Sequence, residues 1–139
     1  LNRPNSTNLN YAISQKEGFV EMFVNNEKNA VSSVVENTSN NFFKKHHSGT
    51  NSQIIKVKSL PLYKIINKKN CPKIDFFSID VEGSELELLK TFDWSIKVKV
   101  FLIEFNEYSK DQHESIRELL RDNGYKFSEK LSINEIWVS

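Results

Sequence analysis

The pattern of apolar and polar residues is clearest in the second half of the chain, where it predicts strands that alternate with helices. Residues 74–81 and 97–105 form two runs that are nearly all apolar between their charged residues, as in strands buried on both faces of a parallel sheet. Between these runs, Leu86, Leu89 and Phe92 lie on one helical stripe. The pattern therefore predicts a strand–helix–strand unit.

The residues after this unit predict a second helix and a final pair of strands. Asp111 is suited to cap the start of the helix, and Gly124 is suited to end it. Residues 125–131 and 134–138 then have strand character and are separated by a tight turn. Two strands that are joined in this way must run antiparallel.

The first half of the chain has a weaker pattern. Three short runs have strand character: residues 9–13, 18–24 and 54–60. A helix is expected to begin at Pro61 and to end before Pro72. The Asn- and Ser-rich segment at residues 36–53 predicts a long mobile loop. No repeat or interdomain linker is visible, so the 139 residues predict one domain.

Composition and charge narrow the class of protein. The chain is 38% hydrophobic and 27% charged, which is typical of a soluble globular protein, and no apolar run approaches the length of a bilayer span. Cys71 is the only cysteine, which excludes an internal disulfide. The first 73 residues carry 11 Lys and Arg against 4 Asp and Glu, whereas the rest carry 8 against 14. Because few aromatic residues lie between the scattered lysines, we expect no nucleic-acid partner.

Acidic residues follow the two apolar runs of the second half. Asp80 and Glu82 lie at the end of the first run, and Glu104 and Asn106 lie at the end of the next. Ligands of open α/β sheets bind beyond the carboxyl ends of the strands, so we expect three carboxylates to meet at one sheet edge. Gly83 removes a side chain at the turn into the helix, which permits close approach of a ligand.

Structural roles for these acids remain open alternatives. Asp80 or Glu82 could cap the following helix, and Glu104 could form a structural hydrogen bond. Glu85 and Glu87 lie in the first turns of that helix, where its dipole favours negative charge. A magnesium site built from the three carboxylates is a further alternative, but our prediction is that no metal is bound. No zinc-binding histidine pattern, dinucleotide-binding glycine motif or P-loop motif occurs.

The segment IDFFSIDVEGSELELLK resembles the most recognisable segment of the FkbM family of S-adenosylmethionine-dependent methyltransferases. That segment is a strand that ends in an I-D-x-E-G-x-E pattern and leads into a leucine-rich helix. The positions that match here are Ile79, Asp80, Glu82, Gly83 and Glu85. The flanking segments match in kind and order, so the resemblance covers roughly residues 8–138.

The resemblance implies an α/β fold with a Rossmann-like class I methyltransferase sheet, mostly parallel with a terminal antiparallel strand pair, and incomplete at the N-terminus. It implies S-adenosylmethionine as the cofactor and O-methylation of a small-molecule or sugar (glycan) hydroxyl. The expected cofactor-binding residues are Ala12, Ile13 and Ser14 at the adenine end, Asp80 at the methyl end, and Gly83 at the turn. The candidate catalytic residues are Asp80, Glu82 and Glu104, because an acid near the attacking hydroxyl can orient it or accept its proton.

Two parts of the family pattern do not occur in these 139 residues, namely the glycine-rich loop and the acidic end of the second strand. We therefore expect residues 1–139 to be a partial FkbM-like domain that has an exposed sheet edge. This partial domain is expected to be inactive alone. Pro61 also takes the place where the family usually has an acidic residue.

A second class of function comes from one branch of the same family, the Star-like membrane proteins that act in trafficking of growth-factor precursors. The stretch around Trp94 resembles that branch, and its members carry a transmembrane segment upstream. Asn5 and Asn37 begin sequons that would be glycosylated in a lumenal domain. This alternative predicts an endomembrane location and membrane contact only through an upstream segment, whereas the simple enzyme predicts a cytoplasmic one. The sequence determines neither the acceptor nor the oligomeric state.

Overall fold

The computed structural model describes residues 4–26, 32–49, 51–68 and 72–139. Eight strands lie in this part of the chain: β1 (Ala12–Ile13), β2 (Gly18–Asn25), β3 (Ser32–Val34), β4 (Ser52–Leu60), β5 (Lys73–Ile79), β6 (Lys97–Glu104), β7 (Lys126–Leu131) and β8 (Asn134–Val138). The α-helices among the same residues are α1 (Asn40–His46), α2 (Leu62–Lys68), α3 (Glu85–Lys90) and α4 (Lys110–Asp122). The strands form two sheets: the amino-terminal sheet, with the order β1-β4-β2-β3, and the carboxyl-terminal sheet, with the order β5-β6-β8-β7.

The prediction of one Rossmann-like, mostly parallel sheet is wrong, although the chain is α/β. Within the described residues, β1 with β4 and β5 with β6 pair in parallel, and the other four pairings are antiparallel. The reason lies in the connections, because a parallel pair needs a crossover such as α3, whereas a short turn returns the chain antiparallel. Local patterns predicted where strands lie but not which strands share a sheet.

β5 lies at an edge of its sheet and is not covered on both faces, contrary to the expectation that both faces of each apolar run are buried. Among the described strands it pairs only with β6, and Phe76 in its centre is 57% exposed. β6 lies between two neighbours and buries Val98, Phe101 and Ile103 completely. An apolar run is therefore compatible with an edge strand as well as with a central one.

The local predictions for the second half are confirmed, except for the cap at Asp111. β5, α3 and β6 form the predicted strand–helix–strand unit with parallel strands, and β7 and β8 form the final antiparallel pair. α2 begins directly after Pro61, as expected for a residue that lacks a backbone N–H. α4 begins at Lys110 rather than at a cap on Asp111, and the chain after it turns at Gly124, where φ is +86°.

The segment that was predicted to be a long loop contains helix α1 and a 3-10 turn at Val35–Asn37. Ser39 caps α1, because its Oγ accepts a hydrogen bond from the backbone N–H of Phe42 at 3.3 Å. The Phe42 side chain is 3% exposed, and its ring meets the Tyr108 ring edge-on at 5.4 Å between centroids. The Ser39 cap and the burial of Phe42 therefore stabilise a helix in a segment whose polar composition predicted a loop.

The main hydrophobic core belongs to the carboxyl-terminal half. Its buried members are Leu62, Ile66, Ile79, Leu88, Leu89, Phe92, Ile96, Val98, Phe101, Ile103, Phe105, Ile116, Leu120, Tyr125 and Trp137. Tyr125 packs edge-on against Phe101 with centroids 4.9 Å apart, and its hydroxyl accepts a hydrogen bond from the Val98 N–H at 3.1 Å. This packing holds β6 rigidly, and with it the strand end that carries Glu104.

Within the described ranges, no helix is long and apolar enough to cross a membrane. Cys71 lies outside the described residues. The extent of the domain over residues 1–139 stays a prediction.

Candidate functional site

Three carboxylates meet where β5 and β6 end, as the sequence predicted. Ile79 and Ile103 are register partners in this parallel pair, so Asp80 and Glu104 follow side by side at the same edge of the sheet. Glu82 joins them from the turn that follows β5. One carboxylate oxygen from each of Asp80, Glu82 and Glu104 lies within 4.8 Å of the others. We call these three side chains the acid cluster.

The backbone of the turn that carries Glu82 has an unusual conformation. The φ angle of Glu82 is +50° and that of Gly83 is +95°. A non-glycine residue in the left-handed region is uncommon, and such strain tends to occur at functional sites. A Cβ at Gly83 would lie 3.4 Å from the backbone oxygen of Asn37, so the glycine makes room for this neighbouring segment.

Glu82 and Glu104 of the acid cluster have pKa values above the usual range of a glutamate carboxyl. Burial raises the pKa of Glu82 to about 7, and the charges of Glu104, Asp80 and Glu85 add to this rise. Burial also raises the pKa of Glu104, although a hydrogen bond from the Asn106 side chain at 3.3 Å opposes the rise. Glu82 therefore exchanges between its protonated and charged forms near neutral pH, as a general acid or base needs to do.

The same cluster has a donor set that could hold a divalent cation, because Mg²⁺ prefers carboxylate oxygens. This is the alternative that the sequence raised, and our prediction that no metal is bound stays a prediction. The capping alternative receives no support from hydrogen bonds, because the residue at the N-cap of α3 is Ser84 and it makes no side-chain cap.

Glu85 is a site residue that sequence reasoning missed. Its Oε1 accepts hydrogen bonds from the backbone N–H groups of Val81, at 3.1 Å, and Gly83, at 3.3 Å. The residue is 1% exposed, and burial raises the pKa of its carboxyl while these backbone hydrogen bonds lower it. The sequence analysis placed Glu85 in the FkbM pattern and interpreted it through the helix dipole, but assigned it no role at the site. Its position directly after a Gly-Ser turn was the available signal.

A first cleft, which we call the apolar cleft, separates the amino-terminal sheet from the acid cluster and has a volume of about 490 Å³. One wall is the apolar face of the amino-terminal sheet, formed by Met22, Val24, Val34, Ile55 and Val57. Ala12 and Ile13 line the same cleft, and Asp80 and Glu82 lie across from the sheet face. The cleft thus combines an apolar wall with two carboxylates.

A second cleft, which we call the polar cleft, has a volume of about 430 Å³. Its lining includes Asn106, Asp111, Gln112 and the ring of Tyr108. Glu82 lines this cleft as well as the apolar cleft. Glu82, whose carboxyl has a pKa of about 7, therefore borders both clefts.

The structure brings together some, but not all, of the residues expected at the cofactor. Ala12, Ile13 and Asp80 share the apolar cleft, whereas Gly83 lines the polar cleft. Ser14 lines a third cleft, and its hydroxyl donates a hydrogen bond to the backbone oxygen of Lys16 at 2.6 Å. The roles of these residues stay predictions.

Comparison with protein families gives one result. The family model described as the methyltransferase FkbM domain matches residues 1–127 of the chain. No curated protein and no solved structure matches the chain. The Star-like branch, and the endomembrane location that would accompany it, stays a prediction.

Proposed function

Because the chain belongs to the methyltransferase FkbM domain family, we propose that the full-length protein binds S-adenosylmethionine and methylates a hydroxyl group of a small molecule or sugar, whereas residues 1–139 alone stay predicted to be inactive. The observation that carries this proposal is the position of Glu82, which lines both the apolar cleft and the polar cleft. A transfer reaction needs two binding regions that meet at the reacting groups. The turn after β5 is where these two clefts meet.

The lining of the apolar cleft fits the proposed cofactor. S-adenosylmethionine carries an apolar adenine ring and, when bound, supplies an electrophilic methyl group on a positively charged sulfur. The face formed by Met22, Val24 and Val57 offers an apolar wall to the ring, and Asp80 and Glu82 offer negative charge to the cation. A volume of about 490 Å³ lies within the usual range for cofactor sites.

The polar cleft suits a hydroxyl-bearing acceptor. The Gln112 amide and the Asp111 carboxylate provide donors and acceptors for hydroxyl groups, whereas the Asn106 amide is already hydrogen-bonded to Glu104, Tyr108 and Ser109. The Tyr108 ring provides an apolar surface on which a sugar ring can pack. This lining supports a small polar acceptor rather than a long apolar one.

Glu82 has the properties of the group that accepts the acceptor's proton. Its carboxyl is partly buried, and its pKa of about 7 lets it take up a proton near neutral pH. Burial keeps that pKa high, and the negative charges of Glu104 and Asp80 add to the effect. Asp80 also faces the apolar cleft, where it would orient the cofactor.

The proposal is tested by comparing the full-length protein with Glu82→Ala, Asp80→Ala and the control Glu129→Gln, which changes an exposed glutamate on β7. Calorimetric titration should detect S-adenosylmethionine binding by the parent. Methyl transfer to a panel of sugars and small alcohols should fall about 10²- to 10⁴-fold in Glu82→Ala, because the proton acceptor is lost. The control should keep full activity. Absence of cofactor binding by the parent, or equal turnover in parent and Glu82→Ala, would refute the proposal.

A further inference from the structure

The structure assigns to Glu85 the role of a positioning residue for Glu82. Its buried carboxylate binds the backbone N–H groups of Val81 and Gly83, the two residues that flank Glu82. We infer that this clamp holds Glu82 in its left-handed conformation and keeps it at the border of the two clefts. The consequence for catalysis rests on the proposed function, whereas the clamp itself does not.

The backbone conformation of the turn requires contacts that hold it in place. Glu82 has a φ of +50°, which a residue with a side chain seldom adopts unless its surroundings impose it. Both hydrogen bonds go to the single oxygen Oε1 of Glu85, at 3.1 and 3.3 Å. They therefore tie the Asp80–Val81 and Glu82–Gly83 peptide groups to one point, with Glu82 in the short segment between them.

The negative charge of Glu85 distinguishes a role at Glu82 from a purely structural role, because the two hydrogen bonds alone do not require a charge. The residue is 1% exposed, and its second oxygen, Oε2, is buried without a hydrogen-bond partner. An unsatisfied buried oxygen on a charged group is costly, and a neutral glutamine could accept the same two backbone hydrogen bonds. The negative charge has a use at this place, because it helps to raise the pKa of Glu82 and that of Glu104.

Two substitutions separate the contribution of the two hydrogen bonds from that of the negative charge. Glu85→Gln keeps an oxygen that can accept from both N–H groups but removes the charge, whereas Glu85→Leu keeps the apolar volume and removes the acceptor. Glu118→Gln, which alters an exposed glutamate on α4, is the matched control.

The decisive measurement is NMR of the protein without added ligand. In the parent, the Val81 and Gly83 amide protons should shift with pH in step with the Glu85 carboxyl, and this pH dependence should vanish in Glu85→Gln. Glu85→Leu should speed their hydrogen exchange about tenfold. The pKa of Glu82, followed through its side-chain carbon, should fall in Glu85→Gln and stay unchanged in Glu118→Gln.

Two results would overturn the assignment: amide protons of Val81 and Gly83 that do not follow the Glu85 titration in the parent, or amide shifts that keep the same pH dependence in Glu85→Gln. These results decide the matter even if Glu85→Leu fails to fold. Where the parent transfers methyl groups, Glu85→Leu should lose activity and Glu85→Gln should restore most of it with a shifted pH profile. If the parent does not transfer methyl groups, the proposed function is refuted. The NMR result then decides by itself whether Glu85 holds the turn.

Discussion

The two sheets of this protein bury very different groups. The carboxyl-terminal sheet packs its helices around fully buried apolar residues such as Phe101 and Trp137. The described part of the amino-terminal sheet buries polar residues (Asn25, Ser33, Ser59) as well as apolar ones (Ala12, Val34, Leu60), and the neighbouring His47 is buried too. Its larger apolar side chains are often exposed, as Phe19 is at 58%. The carboxyl-terminal half is therefore a conventional core, whereas the amino-terminal half depends on local polar contacts.

The polar contacts of the amino-terminal sheet run through the end of α1. The Asn25 side chain donates a hydrogen bond to the backbone oxygen of His46 at 2.6 Å. The two ring nitrogens of His47 lie 3.1 Å from the Ser52 hydroxyl and 3.5 Å from the Ser33 hydroxyl. These contacts cover one face of the sheet and leave the other face to line the apolar cleft. The comparison shows that an apolar sheet face can line a cleft instead of packing in a hydrophobic core.

The largest expected effect is on stability, and it contrasts the same residue type in the two sheets. Phe101→Ala should lower the free energy of unfolding by about 3–5 kcal/mol, because Phe101 is 0% exposed at the centre of the main core. Phe19→Ala should change it by about 0.5 kcal/mol or less, because that side chain is mostly in solvent. Urea denaturation of both variants measures the difference. Similar losses in the two variants would show that the amino-terminal sheet contributes equally to the core.

The second effect concerns pH at the junction of the two halves. The pKa of Glu82 is about 7 in the folded protein against 4.5 for a free glutamate, so its contribution to stability is complete below pH 4.5 and is lost as the pH rises to 7. The loss should be on the order of 1–2 kcal/mol, since partial exposure weakens the effect. Denaturation midpoints of parent and Glu82→Gln between pH 4.5 and 7.5 test this. Parallel curves for the two proteins would contradict it.

The smallest effect has the opposite sign and belongs to the amino-terminal sheet. Burial lowers the pKa of the His47 ring, and the charge of His46 adds to this, so the neutral ring stabilises the fold above its ordinary pKa of 6.5. This contribution is lost as the pH falls below 6.5. Hydrogen exchange in β2 and β4 should therefore speed up at pH 5, once corrected for intrinsic rates, and His47→Gln should suppress the change.

His113 is the matched control for that experiment. Burial lowers the pKa of His113 as well, but this residue lies on α4 in the carboxyl-terminal half. His113→Gln should leave the pH response of β2 and β4 as it is in the parent. An equal effect of the two histidine substitutions on these strands would mean that the halves do not respond separately.

Sequence reasoning succeeded where contacts are local. The strand–helix–strand unit, the final hairpin and the meeting of Asp80 with Glu104 all depend on short connections whose geometry allows few arrangements. It failed at the segment that contains α1, because the polar composition hid one serine cap and the buried ring of Phe42. It also failed at β5, because an apolar run does not reveal whether other elements cover both faces of the strand.

By itself, the sequence determined that acids follow two parallel strands and that a glycine-containing turn leads from one of them into a helix. Only the tertiary structure decided that the strands divide into two sheets, that Ala12 and Asp80 line one cleft, and that Glu82 borders two clefts. It also decided that the Glu85 carboxyl binds the backbone N–H groups of Val81 and Gly83. The physical reason is that local propensity acts over a few residues, whereas partners distant along the chain are selected by how the whole molecule packs.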